Sequence, residues 1–365
     1  MRRTRRWLCF VFAAILTLTT VLAACAPQTP AVVPDPTVAR VDLSSIKTYL
    51  LEKLVELKTN TVQLKTVSDR YYSLAAGANF DYPALWQSNA ADVQQTVEAA
   101  RTAWIAASPL YEQMEGIVAG VPSLAQFDVI LDAGTAGTED AENAVPFDLT
   151  LPDGRVLTKP GNLFGVSESA LWGTYADFTA QDVQPDFDGN GTLDFGEALP
   201  DANVLKAAVD ALDSYTGELQ TAAQGWQPTE SDAFTALVVM VPTMSEYFDS
   251  WKNSRFVTGE ASDQRDFVAI SRLADIQGII GSLQVVYQNV RSLVASIDTA
   301  QADQIEQGLT DLKAFVADVH AKEQSGQRFS AEEADLLGAE AQNRATAITG
   351  QIAQAAAQLD ISLAD

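Results

Sequence analysis

The stretch Phe267–Ile297, FVAISRLADIQGIIGSLQVVYQNVRSLVASI, decides the fold class. Phe267, Ile270, Leu273, Ile276, Ile280, Leu283, Tyr287, Val290, Val294 and Ile297 recur at steps of three and four over about eight helical turns. A half-buried strand would alternate at every second residue. The pattern instead lays one apolar stripe along a helix, and such a stripe must be covered by other helices. Downstream, Ile305, Leu309, Leu312, Val316 and Val319 predict a second helix that Gly326 closes, with His320 in its last turn, where a cation suits the helix dipole. Ser330 to Glu333 is a capping-box signature that opens a final Ala-rich helix running to about Leu359.

The same period extends upstream. Ala202 to Leu219 is amphipathic through Val204, Ala208, Leu212 and Tyr215, and Ser231 to Trp251 follows with an interruption at Pro242. Near the start, Leu43, Ile46, Leu50, Leu54 and Leu57 begin a helix that fades near Ala75–Gly77. Ala84 to Val118 carries Trp86, Val93, Val97, Trp104 and Ile117 as core residues, and Pro109 is expected to kink or interrupt it. Ser123 to Asn162 breaks the period with Gly134, Gly137, Pro146, Pro152, Gly154, Pro160 and Gly161, and Asp153-Gly154 marks the turn of a small hairpin. A long irregular segment inside a compact domain is often functional. Helix is expected again from Ser167 to about Phe178. The class is all-α, two packed antiparallel four-helix bundles, divided as 43–200 with the irregular loop 123–162, and 201–365.

Between these parts lies Asp186–Glu197, DFDGNGTLDFGE. Asp186, Asp188 and Asn190 fill positions 1, 3 and 5 of a twelve-residue EF-hand-like loop, and Gly191 stands at the sharp turn. Thr192 offers its carbonyl at position 7, Asp194 occupies position 9, and Glu197 closes at position 12. Hard oxygen donors in this order predict Ca²⁺. The plainer reading is an acidic turn between helices.

The chain opens with Arg2, Arg3, Arg5 and Arg6, an apolar run from Trp7 to Ala24, and Leu22-Ala23-Ala24-Cys25. This reads as a lipoprotein signal peptide over 1–24, cleaved before a lipidated Cys25, with a Pro-rich linker over 25–42. The expected location is therefore extracytoplasmic, lipid-anchored to the cell membrane. Removing the leader takes four of the 23 basic residues and none of the 48 acidic ones, so the mature balance is 19 − 48 = −29. Such a surface repels nucleic acid and attracts cations. The other cysteine, Cys9, leaves with the leader, so no disulfide or thiolate metal site is expected. A single histidine excludes a zinc or iron site built on two. There is no Gly-x-Ser-x-Gly elbow, no Cys/His dyad and no His-Glu-x-x-His.

Three segments carry a family resemblance. Asn162–Gly173, NLFGVSESALWG, resembles the signature helix of the imelysin-like proteins, which include the lipoprotein component of a ferrous-iron uptake system. Glu168 and Ala170-Leu171-Trp172 match that signature, whereas the position of its histidine is Gly165. Tyr111-Glu112-Gln113-Met114-Glu115, ahead of Asp132-Ala133, is similar to the family's Tyr-Glu-x-x-Glu stretch and its acidic segment. Tyr247-Phe248 through Lys252 to Arg255-Phe256, with the long helix after it, is similar to the C-terminal half.

The resemblance covers about 43–365 and implies two four-helix bundles. It further implies a second metal site of Glu115, Asp132 and Glu168, with Glu112 on the same helical face as Glu115. Without the histidine, an all-carboxylate site suits a hard cation, Fe²⁺/Fe³⁺ or another divalent ion. The function implied is a membrane-anchored metal-binding lipoprotein in iron or other divalent-cation uptake that hands its ion to an iron permease or another envelope protein. Its calcium would be structural. The alternatives are an imelysin-type peptidase, disfavoured by the missing histidine, and a calcium-stabilised envelope binding or adhesion module.

Overall fold

The computed structural model describes residues 40–364; the leader, Cys25 and the linker as far as residue 39 lie outside the described residues. Helix α1 (Ser44–Gly77) buries Ile46, Leu50, Leu54, Leu57, Leu64 and Tyr71 along one stripe. Asn79 and Phe80 take left-handed backbone conformations (φ 54° and 59°) to reverse the chain, and the Asp81 carboxylate caps the next helix by accepting from the Ala84 amide at 2.9 Å. Helix α2 (Tyr82–Val118) contains Pro109 without a break there; its non-helical residue is Asn89 (φ −137°, ψ 27°). The kink expected at Pro109 therefore lies twenty residues upstream. The carbonyl that loses a partner to Pro109 belongs to Ile105, on the exposed side of the helix, where its cost is small.

The irregular segment holds more structure than its composition suggests. Helix α3 (Ala125–Asp128) runs into a single π-helical turn, Val129–Ala133. Strands β1 (Asp148–Thr150) and β2 (Val156–Thr158) then pair antiparallel, Asp148 opposite Thr158, as the Asp153-Gly154 turn predicts. Helix α4 (Leu163–Trp172) starts earlier than expected, and all ten of its residues are buried. A helix covered all round shows no amphipathic period, which is why its first turn is invisible to pattern reading. The Asn162 side chain caps it through the Gly165 amide.

Helix α5 (Ala202–Gly225) follows the acidic loop. Helices α6 (Glu230–Met240) and α7 (Met244–Asn253) are separated by a 3₁₀ turn containing Pro242, as expected, and the short α8 (Arg255–Thr258) follows. The long helix α9 spans Arg272–Ile297; Phe267 to Ser271 is not helical, and Phe267 has φ 55°. Helices α10 (Thr299–Gln324) and α11 (Ala331–Gln358) complete the chain, the latter with the predicted Ser330/Glu333 capping box.

Among the described residues the protein is all-α apart from this one small hairpin. One group is α1, α2, α4 and α5; the other is α6–α7, α9, α10 and α11. The expected division at 200/201 is corrected by α5, which lies along α1 and α4. Tyr71 donates to the Pro200 carbonyl at 2.8 Å, and Lys58–Asp213 and Lys65–Asp210 bridge α1 to α5, both at 2.6 Å. No helix among the described residues is long and apolar enough to cross a membrane.

The two groups meet where α2 crosses α9. A Cβ on Gly116 would lie 2.5 Å from Ser282 Oγ and 2.8 Å from Leu283 Cγ, and one on Gly278 would lie 3.1 Å from Glu112. The helices therefore touch nearly backbone to backbone, and this brings Glu112 and Glu115 against the start of α9. Gly116→Val should cost about 1–3 kcal/mol by overpacking this crossing, read as a lower denaturation midpoint with an unchanged m-value.

Candidate metal centre

Glu112 and Glu115 lie one turn apart on α2, both buried, at 2% and 3% exposure. The π turn presents Asp132 to them, and one oxygen from each of the three lies within 4.8 Å of the others. A π turn widens the helix by one residue and often marks a functional position. Glu115 Oε1 accepts a hydrogen bond from the Tyr247 hydroxyl of α7 at 2.6 Å. Its Oε2, and the Oε2 of Glu112, are buried without any partner. Buried polar atoms are normally satisfied, and an orphaned carboxylate oxygen costs more than a neutral group. Two such oxygens beside Asp132 fit a hard cation with oxygen ligands.

The surroundings supply further charge. From α9, Arg272 Nη1 donates to Asp275 Oδ2 at 2.9 Å and lies 4.0 Å from Glu112 Oε1. Tyr111 donates to Asp128 at 2.7 Å. Burial pushes Glu112 well above the usual carboxylate range, reinforced by Asp275, Asp132 and Glu115 and opposed by Arg272. Asp132 is raised for the same reason, with Glu115 the next cause. Burial pushes Asp128 up to about 8, against the Tyr111 hydrogen bond, and Asp275 up to about 6, against Arg272.

Glu168 is not part of this set. Its Oε2 accepts the Phe267 amide at 2.6 Å and its Oε1 accepts those of Val268 and Ala269 at 2.9 and 2.8 Å. Of the residues expected at the second site, the structure brings Glu112, Glu115 and Asp132 together, while Glu168 holds the segment that enters α9. Burial pushes Glu168 up to about 8 against these three amides. Beside it, Asp266 Oδ2 would stand 2.7 Å from a Cβ on Gly165. A cleft of about 140 Å³, lined by Asp132, Asn162, Gly165, Arg265 and Asp266, opens beside Asp132.

The loop Asp186–Glu197 lies apart from the nest and is exposed over most of its length. Oxygens of Asp186, Asp188 and Glu197 converge within 4.8 Å. Glu197 Oε1 accepts the Phe187 amide at 2.7 Å and its Oε2 the Asp194 amide at 2.8 Å. The Gly191 amide holds the Asp186 carboxyl below its ordinary value. Asp194 stands outside the converging set and accepts from Asn190 Nδ2 at 2.8 Å, while the Thr192 amide donates to Asn190 Oδ1 at 2.7 Å. No α-helix adjoins the loop in sequence: α4 ends at Trp172 and α5 begins at Ala202. Arg101 of α2 donates to the carbonyls of both Leu171 and Gly196, tying α4 to the loop.

Asp128, Asp266, Arg272 and Asp275 escaped the sequence reading, and Tyr247 entered it only as part of a family-like segment, not as a site residue. A signal existed for two of them. Arg272 and Asp275 are charges three apart at the start of an otherwise apolar stripe. His320, by contrast, sits between Gln277 and Gln324 on α10.

In the metal-free protein the raised groups keep protons that the unfolded chain has already lost. The stability they contribute is complete below the ordinary carboxylate range and is lost as pH rises through about 6 to 8. The melting temperature of chelator-treated protein should therefore fall by several degrees between about pH 5 and pH 8.5, and Asp128→Asn should flatten the fall. Scanning calorimetry at several pH values checks this, and a rising melting temperature would contradict it.

The family model for Imelysin (Peptidase_M75) matches residues 51–354, from the first turns of α1 to the last turns of α11. A search of curated proteins finds no match. The match takes in both helical groups and every residue of the carboxylate nest, and the chain belongs to the imelysin family.

Proposed function

We propose that this protein is an extracytoplasmic, lipid-anchored cation-binding protein that captures a hard multivalent metal ion in the nest of Glu112, Glu115 and Asp132. The observation that carries the reading is the pair of buried, unpartnered oxygens on Glu112 and Glu115. An ion there would take these carboxylates as ligands and supply the positive charge the nest lacks. The cleft beside Asp132 would admit it from solvent. Gly165, where the imelysin-like signature has a histidine, leaves a donor set of oxygens alone, which suits Mn²⁺, Ca²⁺ or iron better than a soft ion. The acidic surface concentrates cations, and Cys25 would carry the lipid that holds the protein near a membrane permease. The family is named for a peptidase, but the nest offers carboxylates, phenols and a guanidinium and no imidazole base.

Ca²⁺ in the Asp186–Glu197 loop would be structural. Its anchors are on α2: Gln94 donates to the Phe187 carbonyl at 2.9 Å, the Phe187 ring lies 5.5 Å from that of Trp86, and Arg101 joins the Gly196 carbonyl to that of Leu171 on α4.

Elemental analysis of purified protein, followed by Mn²⁺ titration, tests the first reading. Binding at the nest should weaken at least about tenfold in Glu115→Gln and in Asp132→Asn, the scale of a lost charged ligand. Titration heats identical in these variants and the wild type would end the proposal. For the loop, Ca²⁺ should raise the melting temperature by several degrees in the wild type and by little in Glu197→Gln.

A further inference from the structure

We propose that Arg272 is a built-in counter-cation of the carboxylate nest, a positioning residue that holds the ligand oxygens together without metal and lowers the affinity for the ion when it arrives. This rests on the metal-binding reading above and adds the residue that sets the strength and charge selectivity of that site.

The placement of Arg272 carries the inference. It is the first residue of α9 and is 6% exposed. The guanidinium stacks between two rings, 3.7 Å from the centroid of Phe267 and 4.7 Å from that of Tyr247. One hydrogen bond binds it to Asp275; its approach to Glu112, at 4.0 Å, is the loose limit of an ion pair. Its Nε is buried with no partner. Aromatic faces thus fix the guanidinium beside oxygens to which it is only partly bonded. Glu112 and Glu115 from α2, Asp128 and Asp132 from the turn after it, and Asp275 on its own helix all face this centre. Among the described residues it is the one basic group acting on Glu112, Asp128, Asp132 and Asp275 alike.

A fixed positive charge in this position has two opposite effects. It lowers the cost of burying carboxylates when no ion is present. It also repels any ion that takes the same oxygens, and at the effective dielectric of protein sites such repulsion exceeds a factor of ten in affinity. A monovalent ion gains little from a nest already part-neutralised, whereas a divalent or trivalent ion still gains. The stacking rings keep the guanidinium from leaving, so the opposition persists and the bound ion remains releasable. A residue that merely supported the fold would show the reverse sign, since its loss would loosen the ligands and weaken binding.

The experiment is Mn²⁺ titration by calorimetry on the full chain, in an Asp186→Asn/Glu197→Gln background that disables the loop. Arg272→Gln should bind Mn²⁺ about tenfold or more tightly than the background, and Arg272→Lys within about threefold of it. Because Arg272→Gln leaves Asp275 unpaired and can fail to fold, a second comparison avoids that risk. Asp275→Asn frees the guanidinium toward Glu112 and should weaken Mn²⁺ binding. Adding Arg272→Gln to Asp275→Asn should then restore it by about tenfold or more. Unchanged or weaker binding on removing Arg272 in both contexts overturns the inference while leaving the metal site standing. No Mn²⁺ binding that depends on Glu115 in the background protein overturns the metal site itself.

Discussion

Burial of five carboxylates around one guanidinium is the constraint to which the rest of this structure answers. Glu112, Glu115, Asp128, Asp132 and Asp275 all lie below a tenth exposed, and among the described residues Arg272 is the one buried basic group beside them. A buried ion costs several kcal/mol unless paired, and one arginine pairs fully with one acid. Of the remaining acids, Asp128 and Glu115 accept phenolic hydrogen bonds from Tyr111 and Tyr247, and burial drives Glu112 and Asp132 toward the protonated state. The apolar contacts of two helical groups offset this cost. The closeness of α2 and α9, allowed by Gly116 and Gly278, fixes the distance between the acids and the arginine.

Glu168 and the segment it grips form the second layer. Three amides converging on one carboxylate make a rigid corner from residues that belong to no helix. That corner holds Phe267 at a positive φ, a conformation costing a bulky residue about 1–3 kcal/mol. In that conformation the Phe267 ring centroid lies 3.7 Å from the Arg272 guanidinium carbon. From the other side, Ser169 donates to the Arg265 carbonyl at 2.9 Å. The buried helix α4 therefore acts on the nest indirectly, by shaping its wall, although its sequence reads as a source of ligands.

How much of this was legible follows from the physics of each part. The amphipathic helices α1, α9, α10 and α11 announce themselves because half of each faces water, and their buried residues recur at the period of the helix. Helix α4 hides its start because no face of it meets solvent, and Pro109 misleads because a helix can carry a proline where the freed carbonyl points outward. The acidic loop is a local pattern, so its converging carboxylates are readable from spacing alone. The nest comes from α2 and the π turn, and the arginine that faces it comes from α9, 160 positions after Glu112. Spacing brings Glu112 and Glu115 together, yet nothing local reports that Arg272 faces them. The domain boundary fails similarly: α5 follows the loop in sequence but pairs with α1 through lysine–aspartate bridges across more than 140 residues.

Gly165 shows how these layers are coupled. The Asp266 carboxylate stands so close that any side chain at 165 would compete with it for one volume, 2.7 Å from the first added carbon. Asp266 is in turn fixed by the corner that Glu168 grips, since Phe267, its neighbour, supplies one of the three amides. An acid at 266 and a glycine at 165 are thus a single structural choice. The wall beside Asp132 carries the Asp266 carboxylate in the space a side chain at 165 would take, and on the metal-binding reading the cleft would meet an incoming ion with carboxylates before it reached the buried pair on α2.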